Sequence, residues 1–397
     1  MEARTICRVI RIALWIAVFA ALAAPARAQL RPVRVLLKSW EGVRQVQVSA
    51  EAGLVLLSAD GSRFSQAKPG ESVSLTANAA GIVRPNAAPM AEVVVAPIAG
   101  SVSLVSEKKK ASYRGWLRVT VVDGKLRLTN EVALESYLMS VVPAEMPSGF
   151  PQQALRAQAV AARTFMLKRM LTNAEKDFDL TDGEGAQTYA GTATEKPTTT
   201  EAVMATAGLV LTFAGDYCDT VYSADCGGHT AASDEMGFGG TTPYLCGTPD
   251  APYCSTSPHR GWRVERTTEQ WAQLAKKLGK DVGPVQSLAV TKVGPSGRAQ
   301  SVSIQGPKGT LETTGAAIRK VLGYDVCKST MFSAIQTPEG WVLVGNGWGH
   351  GVGLCQYGAA GRAIAGQSFE EILAAYYPGT ELKKVLSDDR PALSVKP

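Results

Sequence analysis

The feature that most constrains the fold is a run of prolines before an alanine-rich segment, in VVPAEMPSGFPQQALRAQAVAARTF at residues 141–165. Pro143, Pro147 and Pro151 remove backbone donors and restrict the residues before them, so the stretch before Pro151 is predicted to be a loop. Beyond it, the alanine-rich composition predicts a helix over about residues 151–174, because proline is tolerated in a first turn. A lone acidic residue, Glu145, is thus expected in a proline-braced loop before a long, largely buried helix.

The remaining chain divides into a strand-rich part and a mixed part. Residues 33–130 contain short β-branched runs separated by Gly, Asp and Asn, which are typical of strands, and VDGK at 122–125 is a hairpin signal. After residue 131 helical periodicity appears, and residues 262–340 resemble an α/β subdomain. We predict an α+β protein, with a β-rich N-terminal region (29–112) and a mixed α/β catalytic region (113–397) that holds a substrate groove.

The N-terminus has the layout of a secretory signal peptide over residues 1–28. Arg4, Arg8 and Arg11 precede an apolar run, and Ala26 to Ala28 form an A-x-A cleavage site. The apolar run is short for a transmembrane helix, although an uncleaved anchor is the alternative. We therefore expect an exported protein of the periplasm or cell envelope, with no stable membrane span after cleavage.

The charge of the chain argues against a nucleic-acid partner. The formal net charge is +6, and removal of residues 1–28 takes away four Arg and one Glu, which leaves about +3. No basic cluster beyond Lys108–Lys110 appears. A mildly basic chain is compatible with a weakly anionic polymer such as cell-wall glycan.

Six cysteines follow residue 28, namely Cys218, Cys226, Cys246, Cys254, Cys327 and Cys355. In an exported chain an even number predicts disulfides, here Cys327 with Cys355 and two pairs among the four others. The alternative is a zinc site formed by Cys226, His229, Cys246 and Cys254. A cysteine nucleophile beside a histidine is a third interpretation, but no further catalytic partner is evident.

Four polar residues are candidates for chemistry. An apolar setting around Glu145 would raise the pKa of its carboxyl group, as a general acid requires, whereas a solvated loop glutamate is the alternative. Gln158 and Arg163 lie on the alanine-rich helix, where each needs a ligand or a core hydrogen bond. His350, in the glycine-rich GWGHGVGLCQYG, either contacts a ligand or holds a turn.

Several segments together resemble one family. They are YRGWLRVTVVDGKLRLTNEVALESYLMSVVPAEMPSGFPQQALRAQAVAARTFML (113–167), GAQTYAG (185–191), YSADCGGHT (222–230), GWGHGVGLCQYGAAG (347–361) and ILAAYYPGT (372–380). In this order they resemble the SpoIID/LytB family, whose first and last segments are the most specific. The resemblance spans about two-thirds of the chain and leaves residues 29–112 outside it.

The resemblance implies a peptidoglycan lytic transglycosylase that cleaves glycan strands, stripped of stem peptides, between N-acetylmuramic acid and N-acetylglucosamine. Glu145 matches the family's catalytic glutamate, and no cofactor is expected. Other members modify a cell-wall amidase, so a glycan-binding amidase partner without cleavage is the alternative. The residues expected to line the groove with Glu145 are Gln158, Arg163, Tyr189, His350 and Gln356.

Two departures from the family pattern affect these expectations. Ser223 stands where some members have a histidine used in a zinc site, which weakens the case for a metal. Phe165 replaces a tyrosine of the helix motif, so no phenol hydroxyl is available there.

Overall fold

The computed structural model describes residues 30–84, 88–183 and 187–385. Helices and strands alternate after a β-rich N-terminal part, so the predicted α+β class is confirmed. The predicted signal peptide, its predicted cleavage site and part of the 185–191 segment lie outside the described residues. Among the described residues, no helix combines the length and the apolar character that a bilayer span requires.

Two sheets form the β-rich part. Its strands are β1 Val33–Leu36, β2 Gln45–Ser49, β3 Leu54–Leu57, β4 Arg63–Ala67, β5 Val73–Asn78, β6 Gly81–Val83, β7 Glu92–Pro97, β8 Ser101–Val105, β9 Lys110–Arg114, β10 Trp116–Val122 and β11 Lys125–Val132. One sheet has the order β6-β5-β2-β8-β9, and the other has β1-β11-β10-β7-β3-β4 with β12 (Leu180–Thr181) beside β1. The predicted boundary at residue 112 falls inside β9.

The hairpin predicted at VDGK is confirmed. Val122 pairs with Lys125 across the β10–β11 turn, and Asp123 and Gly124 have φ values of 52° and 68°. Positive φ at both central residues is the requirement of a two-residue turn that matches strand twist. This hairpin leads the chain from the β-rich part directly into the first helix.

Helix α1 spans Leu134–Glu145, so the prediction that Glu145 lies in a loop is wrong. Pro143 sits inside the last turn, where the helix persists because Leu138, Val141 and Val142 are fully buried on its apolar face. Met146 has extended backbone angles and ends the helix. The carboxylate is therefore positioned by the C-terminal end of a buried helix.

Helix α2 spans Gln152–Thr172 and confirms the predicted alanine-rich helix. Its alanines are completely buried, which lets α1 and three later helices pack closely against it. Those helices are α3 Pro197–Ala205, α6 Gln356–Ile364 and α7 Phe369–Tyr376. Helix α2 is thus the central element of the region that holds Glu145.

A separate hydrophobic core organises the segment between residues 262 and 345. The Thr267 side chain caps the N-terminus of helix α4 (Thr268–Lys277), and the Thr314 side chain caps that of helix α5 (Gly315–Leu322). The strands are β16 Trp262–Thr267, β17 Ser287–Val293, β18 Ala299–Gly306, β19 Gly309–Thr313, β20 Phe332–Thr337 and β21 Gly340–Gly345. They form the sheets β16-β21-β20 and β17-β18-β19, as expected for an α/β unit.

The remaining strands connect distant parts of the chain. They are β13 Leu209–Phe213, β14 Asp216–Tyr217, β15 Tyr222–Ser223, β22 Leu354–Cys355 and β23 Glu381–Lys384, and 3₁₀ turns lie at Lys38–Trp40 and Gly191–Thr194. Strands β15 and β22 pair in parallel, so Tyr222 lies opposite Leu354. This pairing brings the YSADCGGHT and GWGHGVGLCQYG segments together.

Candidate active site

Glu145 is a half-buried carboxylate at the end of α1. The backbone N–H of Thr188 donates a hydrogen bond of 2.6 Å to its Oε1. Burial raises the pKa of Glu145 above the ordinary carboxyl value, and the hydrogen bonds from Thr188 oppose this shift. The carboxyl group is thus suited to hold a proton at a higher pH than an exposed glutamate.

Two tyrosines and an amide lie around this carboxylate. The Glu145 charge and burial both raise the pKa of Tyr137 and of Tyr222, burial being the larger cause. The Tyr137 hydroxyl donates to Gln187 Oε1 at 2.9 Å, and Gln187 Nε2 donates to the Ala162 carbonyl at 3.1 Å. The buried Tyr222 hydroxyl makes no hydrogen bond of good geometry among the described residues, although Gln187 lies close enough to lower the pKa of this phenol.

His350 is linked to the surroundings of Glu145 by a hydrogen bond with the backbone of Tyr222. Its Nε2 lies 2.9 Å from the Tyr222 carbonyl, and its Nδ1 accepts a hydrogen bond from the Val352 N–H at 3.0 Å. These partners assign the proton to Nε2 of a neutral ring. Burial lowers the pKa of His350 to about 4, so the ring stays neutral near pH 7. In this structure His350 holds the strand that carries Tyr222.

Gln158 and Gln356 meet between α2 and the start of α6. Gln356 Nε2 lies 3.4 Å from Gln158 Oε1, and both residues are almost completely buried. Gln158 Nε2 has no hydrogen-bond partner among the described residues. The structure therefore brings these two predicted site residues together.

Arg163 and Tyr189 make internal contacts. The fully buried Arg163 forms a two-point ion pair with Glu135, at 2.8 and 2.6 Å. The Tyr189 hydroxyl donates to Asn130 Oδ1 at 2.6 Å, and its ring stacks on Tyr137 with centroids 5.2 Å apart. The predicted groove-lining role of these residues stays a prediction.

A depression of about 700 Å³ on the β-rich part, lined by residues 41–47 and 105–108, does not include Glu145.

All six cysteines that follow residue 28 are thiols in the structure, so the predicted disulfide pairs are not formed. The predicted zinc set is not assembled either. Cys246 is exposed, and His229 Nδ1 lies 2.6 Å from the Thr230 carbonyl. Among the described residues, the groups close enough to share an ion contain Cys226, but neither His229 nor Cys246.

Sequence reasoning missed Tyr222, Thr188, Gln187 and Tyr137 as neighbours of Glu145. All four lie in segments that had been noticed, since the 113–167 segment contains Tyr137, GAQTYAG contains Gln187 and Thr188, and YSADCGGHT begins at Tyr222. Their position within those segments is the signal that could have identified them. Tyr137 lies on α1 itself, whereas the approach of the other three to α1 depends on tertiary packing, which no spacing along the chain predicts.

Fold and site together define a class of α+β protein in which one half-buried carboxylate at a helix end accepts a backbone N–H and lies close enough to two tyrosines to raise their pKa. Comparison with known proteins places the chain more specifically. The model of the Stage II sporulation protein (SpoIID) family matches residues 122–213, and that of a Domain of unknown function (DUF8618) matches residues 254–353. The chain belongs to the SpoIID/LytB family.

Relatives agree with this assignment. An uncharacterized protein of Brachyspira hyodysenteriae is 30% identical over 271 residues, which cover 68% of this chain and 72% of that protein. The Stage II sporulation protein D of Bacillus subtilis is 29% identical, covering 64% and 75%. The Amidase enhancer of Bacillus subtilis is 28% identical, covering 62% of this chain but only 40% of its own length. These similarities support a role related to the cell wall.

Proposed function

We propose that the protein is an exported peptidoglycan lytic transglycosylase. It would cleave the bond between N-acetylmuramic acid and N-acetylglucosamine in glycan strands, preferably strands stripped of stem peptides. The observation that carries the proposal is Glu145, a half-buried carboxyl group with a raised pKa, oriented by the Thr188 N–H. Such a group can donate a proton to a leaving glycosidic oxygen.

The reaction needs Glu145 in two successive roles. The protonated carboxyl group donates its proton to the glycosidic oxygen as the bond from that oxygen to the muramic C1 breaks. The C6 hydroxyl of the same muramic residue then forms a bond to C1, and the Glu145 carboxylate accepts the hydroxyl proton. The products are a 1,6-anhydro-muramic end and a free N-acetylglucosamine hydroxyl, and Glu145 is protonated again.

A single carboxylate suffices because the substrate supplies the nucleophile. Hydrolytic glycosidases use two carboxyl groups, one of which forms a covalent intermediate or activates water. An internal hydroxyl held near C1 has a high effective molarity and needs no group to activate water. Burial and Thr188 account for the pKa shift of Glu145, and neither involves a second carboxylate.

The polar groups around Glu145 would bind the sugars. The Gln158 amide is the candidate best supported by the contacts, because its Nε2 has unused hydrogen-bonding capacity, and Tyr222 beside Gln187 is a second candidate. Gln356 would orient the Gln158 amide, and His350 would hold Tyr222 in place. Arg163 and Tyr189 would act from behind, through Glu135 and Tyr137.

Product analysis tests the proposal. Purified protein is incubated with glycan strands stripped of peptides, and the products are analysed by mass spectrometry. We expect products one water lighter than the hydrolysis products, as 1,6-anhydro ends require, and no such products from Glu145→Gln. Reducing muramic ends from the wild type, or anhydro ends formed by Glu145→Gln at the parent rate, would refute the mechanism.

A second candidate is supported by the amidase enhancer similarity. In that case the protein binds glycan and stimulates a cell-wall amidase without cleaving strands itself. The distinguishing result is retention of amidase stimulation by Glu145→Gln together with no anhydro products from the wild type.

A further inference from the structure

Three cysteines from distant segments meet in one buried core. Cys226 follows strand β15, Cys254 lies in the loop before β16, and Cys355 ends β22. All three are completely buried, as is Asp250 beside them. Two sets of side chains each place their ligand atoms within 4.8 Å of one another, namely Cys226, Asp250 and Cys254, and Asp225, Cys226 and Cys355. Cys226 belongs to both sets and is the centre of the cluster.

Two distances in the cluster fit the edges of a tetrahedral metal site, and Cys355 joins these ligands through Cys226. Cys226 Sγ lies 3.8 Å from Cys254 Sγ and 3.3 Å from Asp250 Oδ2. With zinc–sulfur bonds of about 2.3 Å and zinc–oxygen bonds of about 2.0 Å, a tetrahedron separates two sulfurs by about 3.8 Å and a sulfur from an oxygen by about 3.5 Å. A disulfide would need the two sulfurs at about 2.05 Å.

Two of the three sulfurs have neighbours that would offset the charge of a bound thiolate. The backbone N–H groups of Cys226 and Gly358 both point at Cys355 Sγ from 3.2 Å, and Cys355 caps the N-terminus of α6. Hydrogen bonds from N–H groups and a helix N-terminus stabilise a sulfur anion. Arg260 Nη2 lies 3.7 Å from Cys254 Sγ.

The charges of the cluster balance when a divalent ion is included. Arg362 pairs with Asp250 at 3.0 Å, and Arg260 lies beside Cys254. Three thiolates and the carboxylates of Asp250 and Asp225 carry five negative charges, which a divalent ion, these two guanidinium groups and that of the buried Arg298, 2.8 Å from the Cys226 carbonyl, offset. The Tyr376 hydroxyl also donates to Asp250 at 2.9 Å, the kind of outer contact that orients a ligating carboxylate. A buried site without net charge avoids the desolvation cost of isolated ions.

We propose that Cys226, Cys254, Cys355 and Asp250 bind a structural zinc ion. Sulfur-rich tetrahedral sites select zinc among the common divalent ions, and four protein ligands leave no open position for catalysis. The ion ties together three segments, one of which continues from Cys355 into Gln356 and α6. This ligand set differs from the one predicted from the sequence, because Cys355 and Asp250 replace His229 and Cys246. The proposal does not depend on the glycan reaction.

Metal analysis of the full chain tests the site. The protein is purified with a reductant and without added metal, then measured by elemental mass spectrometry. We expect about one zinc ion per chain in the wild type and in Cys246→Ser, whose thiol is exposed and outside the cluster. Cys226→Ser should lose the ion. A wild-type chain that carries no zinc after incubation with zinc, or equal zinc in Cys226→Ser, would overturn the proposal.

A measurement on the wild type alone avoids relying on variants that fail to fold. After removal of zinc by a chelator, the reduced chain is titrated with cobalt(II). Tetrahedral thiolate coordination should give sulfur-to-cobalt charge-transfer absorption that saturates at about one ion per chain, and zinc should raise the unfolding temperature. Absence of that absorption, or an intact mass lower by two hydrogens with Cys226 joined to Cys254, would refute the site in favour of a disulfide.

Discussion

Helix α1 carries two glutamates whose surroundings differ completely. Glu135, near its start, is almost fully buried, pairs with Arg163 through both oxygens and accepts the Gly208 N–H at 3.2 Å. Glu145, at its end, is half-buried. Burial raises the pKa of its carboxyl group, and hydrogen bonds from Thr188 lower it. One carboxylate has its charge balanced inside the protein, whereas the other has capacity to exchange a proton.

Helix α1 thus carries one glutamate that stabilises the fold and another that is suited to proton transfer. A buried ion pair with additional hydrogen bonds keeps both charges, so Glu135 cannot act on a ligand without exposing Arg163. A carboxyl group that is dehydrated but unpaired keeps its proton more strongly and can deliver it. The two residues therefore predict opposite consequences of the same substitution.

The largest effect is expected on activity. Glu145→Gln should lower anhydro-product formation by about 10²- to 10⁴-fold, because the amide cannot donate or accept the transferred proton. Its unfolding free energy should stay within about 0.5 kcal/mol of the wild type or rise. Initial rates on peptide-stripped glycan and urea unfolding measure the two quantities. Loss of stability with unchanged rate would reverse the roles of the two glutamates.

The next effect is on stability. Glu135→Gln should lower the free energy of unfolding by about 3–5 kcal/mol, because the fully buried Arg163 then lacks a counter-charge. Urea unfolding followed by circular dichroism measures it. As a matched control, Asp281→Asn breaks an ion pair with Lys308 in which both side chains are exposed, and should cost much less. Equal costs for the two substitutions would contradict the distinction between buried and exposed pairs.

Much of the fold could be predicted from local patterns. Pro151 followed by alanines defined α2, and VDGK defined the β10–β11 turn, because helix propensity and turn chemistry act over a few residues. The prediction of a loop at Glu145 was wrong because it gave the helix-breaking effect of Pro143 more weight than the apolar periodicity of the segment. In the structure, burial of Val141 and Val142 maintains the helix through Pro143.

The site was less predictable because its contacts join distant segments. The partner of Arg163 lies on the preceding helix, and Tyr222, whose pKa the Glu145 charge raises, lies on β15, which pairs with the distant β22. The cysteines illustrate the same limit. The even number of cysteines and the expected export of the chain predicted disulfides. Only the three-dimensional arrangement shows that Cys355 approaches Cys226 rather than Cys327.

A third prediction concerns pH. Because burial raises the pKa of Glu145, activity should fall as pH rises through that raised pKa, at a higher pH than an exposed glutamate would give. The unfolded chain releases this proton at lower pH than the folded chain. The stability that Glu145 contributes is thus fully present below its unfolded pKa and is lost as pH rises through its folded pKa. Unfolding of wild type and Glu145→Gln between about pH 4 and 8 should show the variant gaining relative stability with pH. A difference independent of pH would refute the shift.

The smallest effect isolates the one contact that opposes burial. Thr188 hydrogen bonds lower the pKa of Glu145, and Thr188 itself is exposed. Thr188→Val removes the hydroxyl but keeps the backbone N–H and the shape of the side chain. Because a hydrogen bond to the ionised carboxylate favours the charged form, its loss should move the fall in activity to higher pH. Thr192→Val, which removes a hydroxyl bonded to the Ser112 carbonyl, is the control and should leave the profile in place. A shift to lower pH in Thr188→Val would mean that the hydroxyl stabilises the protonated acid, and the difference between the two glutamates would then rest on burial alone.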